Sequence, residues 1–237
     1  MSLKNKLIDL TVKTVLDVIT RVHLHEVAPI PKTGPMIVII NHINSLDGPM
    51  LMTYLQPRPI TPLGKEELWD SAFSRVVMNR WGAIPIRRGE ADMSALKASR
   101  EALKQERILA IAPEGTRSGD GKLQQGKPGV LLLAMRSGVP ILPLVHYGGE
   151  EVFDNLRKLR RTDFHIVGGH TFTLDMQGQK PDREMRQVVT DEIMYQLAAL
   201  LPEKYRGVYA DMSKATDQYL KFAPDGQSNL AYAEERA

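Results

Sequence analysis

Chemistry in this chain concentrates where short apolar runs stop. The run "PMIVII" (residues 35–40) ends at "NHINSLDG" (residues 41–48), which places His42 just past a strand and Asp47 five residues further on. An imidazole is suited to taking up a proton near neutral pH, and a carboxylate on one ring nitrogen fixes the tautomer and leaves the other nitrogen free. On a continuous helix the two positions would stand about 140° apart. A strand–turn–helix, with Asn44, Ser45 and Gly48 as turn residues, folds the carboxylate back onto the ring. The same Asp47 is also suited to capping a helix that starts at Gly48-Pro49. At this point both readings stand.

Two further strand ends carry polar groups. "AIPIRRG" closes on Arg87 and Arg88, and "RILAIAP" runs into "EGTRS", residues 114–118. Arg117 offers a planar fork that matches phosphate oxygens, and Gly115 lets backbone approach a ligand closely. Glu114 is placed to orient that arginine; the competing reading is a surface turn with a salt bridge. Lys65, in "GKEEL", and Arg88 are further cationic candidates, each equally readable as a solvated charge. In open α/β sheets ligands bind in the crevice at the strand carboxyl ends, so three such endings with complementary chemistry describe a site.

Two motifs are set aside. Gly121 to Lys127 has the spacing of a phosphate-binding loop, but Pro128 stands where that loop needs a hydroxyl residue for magnesium, and no strand leads directly into it. His23/His25 and His165/His170 lack the spacing of a known metal site, and no metal is expected.

The elements that must position these residues alternate. An amphipathic helix is expected over residues 3–25, with its apolar face either on the core or against lipid. Next come the strand at 36–40, a short helix from Pro49, a breaker at "QPRPITP" and a helical stretch through Trp81. The short strand "AIPI", a helix at 92–106 and the strand "ILAI" follow. A glycine-rich loop (119–129), a helix, the strand "VPILPLVHYG", a basic "LRKLRR" segment and two strands precede a long helix from about Pro181 to Leu201. Helices alternating with short apolar strands indicate an α/β layered fold. No repeat or interdomain linker is visible, and residues after about Pro224 are expected to be loose.

Composition bounds the rest. The 237 residues, 43% hydrophobic and 25% charged, suit a globular chain with an ample core. A net charge of +3 leaves room for an anionic partner without demanding one. The absence of cysteine excludes thiol catalysis and thiolate metal sites and agrees with a cytosolic protein. Charges interrupt the N-terminal apolar residues, so no signal peptide is expected, and no apolar run reaches the ~18 residues of a membrane span. "LRKLRR" lacks the interleaved aromatics and strong charge excess of a nucleic-acid site, and none is expected.

The ordered set is more specific than its parts. "NHINSLD" resembles the N-H-x4-D motif of the glycerolipid acyltransferases, the 1-acylglycerol-3-phosphate acyltransferase family. "GKEELWD", "GAIPIRRG", "EGTRS" and "VPILPL" resemble that family's later blocks in the family's order, over residues 41–144. The resemblance implies a mixed central sheet flanked by helices, with an N-terminal helical membrane-association element (1–28), an acyltransferase domain (29–223) and a flexible tail (224–237). It implies His42 as base and Asp47 as its partner, with Lys65, Arg88 and Arg117 binding substrate phosphate, helped by Glu114, Gly115 and Thr116. Asn44 stands where relatives often have Ser, Pro85 where they often have a bulky apolar residue, and the transmembrane helices of many relatives are not present.

The implied reaction moves a fatty acyl chain from acyl-CoA or acyl-carrier protein to lysophosphatidate in phospholipid biosynthesis. No cofactor is needed beyond that co-substrate, because a thioester is already activated. The same chemistry on glycerol 3-phosphate, another lysophospholipid or a glycolipid is the nearest alternative; a non-catalytic lipid binder on the same fold is the other. The partners implied are the thioester donor, a lysophospholipid and the membrane surface, and the expected location is cytoplasmic, peripheral at the inner face of the cell membrane.

Overall fold

A computed structural model of the protein describes residues 3–25, 31, 33–54, 58, 60–87, 92–223 and 226–235. In chain order the elements are α1 (Leu3–Ile19), β1 (Thr20–His25), β2 (Met36–Ile40), α2 (Asp47–Tyr54), β3 (Ile60–Lys65), α3 (Ala72–Trp81), β4 (Ile84–Ile86), α4 (Met93–Lys104) and β5 (Ile108–Ile111). They continue with α5 (Gly129–Ser137), β6 (Ile141–Tyr147), α6 (Val152–Arg157), β7 (Thr162–Gly168), β8 (Phe172–Leu174), α7 (Arg183–Leu200), β9 (Leu220–Phe222) and α8 (Leu230–Glu235).

The sheet runs β1-β7-β6-β2-β5-β3-β4, with β8 pairing β6 and β9 pairing β8. It is mixed, as expected: β6, β2, β5, β3 and β4 are parallel, and β7 runs antiparallel to β6. Every residue of β2 is buried because helices cover both faces. Met36, Val38 and Ile40 join Leu16 of α1, Met50 of α2 and Trp81 of α3 in one core layer. Ile37 and Ile39 pack in the other with α4, α5 and α7. A strand's two-residue period thus divides one apolar run between two layers.

Topology places the polar strand ends together. In register, Met36 of β2 and Ile60 of β3 both stand beside Ile108 of β5, and Lys65 stands beside Ile86 of β4. The residues that follow the C-terminal ends of β2, β5, β3 and β4 therefore emerge at one edge and at one level. That edge is where an open α/β sheet takes its ligands.

Three expectations about elements change. The N-terminal helix ends at Ile19, and residues 20–25 form β1, parallel to β7. The expected boundary at residue 28 therefore does not separate an independent element, since residues 20–25 belong to the sheet. The breaker at 56–62 hides β3, whose Pro62 stands opposite Ala110 inside the sheet. The tail is not loose over residues 226–233: Asn229 is fully buried, donates to Gln196 Oε1 and accepts from the His170 N–H at 2.6 Å. Separately, His23, His25 and His165 stack across the β1–β7 pair, with ring centroids 4.7 and 5.1 Å from that of His165. Even so, the described residues hold no group of three side chains able to bind a metal ion.

Candidate active site

His42 leaves the end of β2 with its backbone fixed on three sides. Its N–H donates to Glu114 Oε1 at 2.8 Å, its carbonyl accepts from the Ser118 N–H at 2.8 Å, and the Gly119 N–H donates to the next carbonyl, that of Ile43, at 3.1 Å. The "EGTRS" turn beyond β5 is thereby stapled to the strand that carries the histidine.

The turn geometry brings Asp47 onto the His42 ring. His42 Nδ1 lies 2.7 Å from Asp47 Oδ2, and the same oxygen accepts the N–H groups of Ile43 at 2.7 Å and Asn44 at 3.0 Å. Asp47 begins α2, yet its carboxylate turns back into the preceding loop rather than capping its own helix. The carboxylate is fully buried and the imidazole partly exposed. Two backbone N–H donors already converge on that oxygen, so it is suited to accept the ring N–H as a third. His42 Nε2 bonds to no described residue and is left to act on a ligand.

Residues that spacing could not reveal hold this loop. Asn41, buried, donates from Nδ2 to the carbonyl of His146 at 2.8 Å and accepts the His146 N–H at 2.9 Å. His146 Nε2 lies 3.0 Å from the Asn41 carbonyl, completing a clasp between the ends of β2 and β6. His146 is fully buried against Phe164, and burial holds its pKa below the usual histidine value, so the ring stays neutral. Asn44 accepts the Leu46 N–H and donates to the Gly149 carbonyl at 2.7 Å, which gives the residue at the family's serine position a definite turn function.

The expected phosphate residues fall into three groups. Gly115, Thr116 and Arg117 occupy the turn beside His42; Gly115 has φ +70°, a conformation that favours glycine, and Arg117 is exposed. Lys65 stands at the same level two strands away, roughly 10 Å by strand spacing, and pairs with Glu67 at 2.6 Å. Arg88 lies outside the described residues. Its neighbour Arg87 approaches Asp92, the cap of α4, at 3.9 Å.

Glu114 differs from expectation. It does not pair with Arg117: it is buried, with Oε1 accepting from the His42 N–H and Oε2 from the Gln124 N–H at 2.8 Å. Two backbone donors off the ends of regular structure need an acceptor, and this carboxylate supplies both. Burial, reinforced by the Asp47 charge, pushes its pKa up from 4.5 to about 7. An acid with a raised folded-state pKa contributes stability that is complete below its unfolded value and is lost as pH rises through the folded one. The melting-temperature advantage of wild type over Glu114→Gln is therefore expected to shrink between about pH 4.5 and about 7 and to be flat outside that window. A difference that is constant with pH would contradict the buried, titrating carboxylate.

With this geometry in place, comparison with known proteins is informative. Residues 21–147, more than half of the chain, match the family model described as Acyltransferase. The chain belongs to that acyltransferase family. A 1-acyl-sn-glycerol-3-phosphate acyltransferase from Borreliella burgdorferi is 32% identical over 130 residues, covering 52% of this chain and 50% of the relative. One from Helicobacter pylori is 33% identical over 126 residues, covering 52% and 53% respectively. The chain thus spans about half the length of the curated relatives it matches. Among solved structures, the 1-acyl-sn-glycerophosphate (LPA) acyltransferase PlsC from Thermotoga maritima superposes with a TM-score of 0.60 at 25% identity, over 80% of this chain and 76% of that one. The acyltransferase fold accounts for the mixed sheet between helix layers. No helix among the described residues is long and apolar enough to cross a membrane.

Proposed function

We propose that the protein transfers a fatty acyl chain from a thioester, acyl-CoA or acyl-carrier protein, to the free hydroxyl of lysophosphatidate, giving phosphatidate. The observation that carries this reading is the Nε2 of His42, which bonds to no described residue, opposite an Nδ1 held 2.7 Å from Asp47. Nε2 removes the acceptor's hydroxyl proton as the oxygen attacks the thioester carbonyl. The C–S bond then breaks, and the proton goes to the departing thiolate. The thioester is already activated, so the enzyme needs no nucleophile of its own. Arg117 and the turn around it hold the acceptor's phosphate, which brings its hydroxyl to the base.

The test is acyl transfer from labelled acyl-CoA by purified protein to a panel of lysophosphatidate, glycerol 3-phosphate, other lysophospholipids and glycolipids. Lysophosphatidate is expected to give the highest kcat/KM. A clear preference for another acceptor overturns the substrate assignment, and absence of transfer to any overturns the reaction.

A long-chain acceptor resides in a bilayer, so the site must reach the interface, and α1 is suited to bring it there. Ile8, Val12 and Leu16 turn toward the protein, while Leu7, Leu10, Val15 and Val18 face outward and are exposed. On that outer face Thr11 and Thr14 donate their hydroxyls to the carbonyls of Leu7 and Leu10 at 2.8 Å, which lowers the cost of placing them against lipid. Leu159, 94% exposed between Lys158 and Arg160, supplies a second apolar tip in a basic setting. Replacing Leu7, Leu10 and Val18 together with serine is expected to weaken binding to anionic vesicles at least about tenfold. Melting temperature and activity on a short-chain soluble acceptor should be retained. Undiminished co-sedimentation of the folded variant would rule α1 out as the contact.

A further inference from the structure

The glycine-rich loop between β5 and α5 ends in Gly126-Lys127-Pro128, the lysine of the phosphate-loop spacing set aside above. That segment does not wrap a phosphate with its backbone: the Gly126 N–H donates to Tyr209 Oη at 3.0 Å, and the Lys127 N–H to the Pro113 carbonyl at 2.9 Å. The lysine side chain has a different destination. It lies across the "EGTRS" turn, so that a Cβ added at Gly115 would stand 3.2 Å from both Cδ and Nζ of Lys127 and 3.5 Å from Cε. The bare Cα of Gly115 is therefore the seat of the lysine stem, a second reason for glycine there beside its φ of +70°.

Charge gives this seat its meaning. Glu114, one residue before the seat, holds the backbone N–H of the base His42, and Arg117 follows two residues after it. Glu114 is buried, spends its two oxygens on the N–H groups of His42 and Gln124, and forms no ion pair with the lysine. Lys127 and Arg117 are both exposed, and neither forms an ion pair with any described carboxylate. Two cations carried to one turn, neither ion-paired with a described carboxylate, are suited to sharing one anion. The pair is also complementary in kind, since a guanidinium fixes phosphate orientation through a fork and an ammonium on a flexible stem adds a point charge.

We propose that Lys127 is a substrate-binding residue whose ammonium, with Arg117, holds a phosphate group at the His42 site. The inference rests on the acyl-transfer reading of that site. The phosphate belongs either to the acceptor's phosphate monoester or to the donor's nucleotide and pantetheine arm, and the recognition chemistry is the same.

The test compares the full-length protein with Lys127→Met, which keeps the stem and removes the charge, and with Lys127→Arg. Calorimetric titrations use glycerol 3-phosphate against glycerol, and CoA against dephosphorylated pantetheine; KM values for lysophosphatidate and acyl-CoA are measured in parallel. Lys127→Met is expected to weaken a phosphate-bearing ligand about ten- to hundredfold, with the phosphate-free compounds little changed and with partial recovery in Lys127→Arg. A defect confined to glycerol 3-phosphate and lysophosphatidate places the phosphate on the acceptor, and one confined to CoA and acyl-CoA places it on the donor. Unchanged affinity for both phosphate ligands in a folded Lys127→Met overturns the proposal. Binding is read without turnover, so a wild type that binds these phosphates by Lys127 yet transfers no acyl chain would defeat the function and leave this inference standing.

Discussion

His42→Ala is expected to lower kcat by about 10²–10⁴-fold, the usual contribution of a positioned general base, while KM for the acceptor and the melting temperature stay close to wild type. The geometry separates these quantities. What ties His42 into the fold is its backbone, through Glu114 Oε1 and the Ser118 N–H, and alanine keeps both bonds. Asp47 Oδ2 loses one donor of three and keeps the N–H groups of Ile43 and Asn44. The truncated ring is partly exposed, so no large cavity opens in the core. Pre-steady-state and steady-state rates with saturating thioester and acceptor provide the measurement. A purified, folded His42→Ala protein with near-wild-type kcat would remove the base from the mechanism.

How much of this was legible in the sequence depended on how far apart the partners stand. β2 could be read from five consecutive apolar residues, because a parallel strand covered on both faces needs no polar alternation. His42 and Asp47 could be paired as candidates, but five residues of spacing left Asp47 equally suited to a helix cap. Only the turn geometry, with three donors on Oδ2, decides between the two. β1 was hidden because "TRVHLH" continues the helical spacing of the residues before it, and its strand partner lies about 140 residues on, at Thr162–Gly168. β3 was hidden by prolines, which ordinarily argue against an inner strand. Glu114 was misread for a related reason: a glutamate beside an arginine suggests an ion pair, whereas the unmet demand was for an acceptor of two backbone N–H groups. The Asn41–His146 clasp joins residues 105 positions apart and leaves no local pattern. Lys127 was visible, but inside a spacing that named the wrong chemistry for it.

Asp47→Asn is expected to reduce kcat by at least about 10²-fold, approaching the loss in His42→Ala, because the charge that stabilises the ring as it takes a proton is gone. The amide has two orientations and neither restores wild type. With its oxygen toward His42, the carbonyl still accepts from the ring and from the Ile43 and Asn44 N–H groups. The –NH₂ then occupies the Oδ1 position, where the carboxylate finds no hydrogen-bond partner among the described residues and His146 Nε2 lies 3.7 Å away, already committed to the Asn41 carbonyl. In the other orientation a donor faces three donors. The first is the lesser cost, so the variant should fold with a modest drop in melting temperature. Asp47→Ala should lose activity to a similar degree but lose more stability, because the buried N–H of Ile43 and its neighbour are left without an acceptor, at about 1–3 kcal/mol for each unmet group. The two variants thus separate charge from scaffolding: similar activities and unequal melting temperatures are expected. Near-wild-type kcat in folded Asp47→Asn would show that the charge is dispensable. Equal melting temperatures for the two variants would show that the carboxylate does not hold the loop that presents the base.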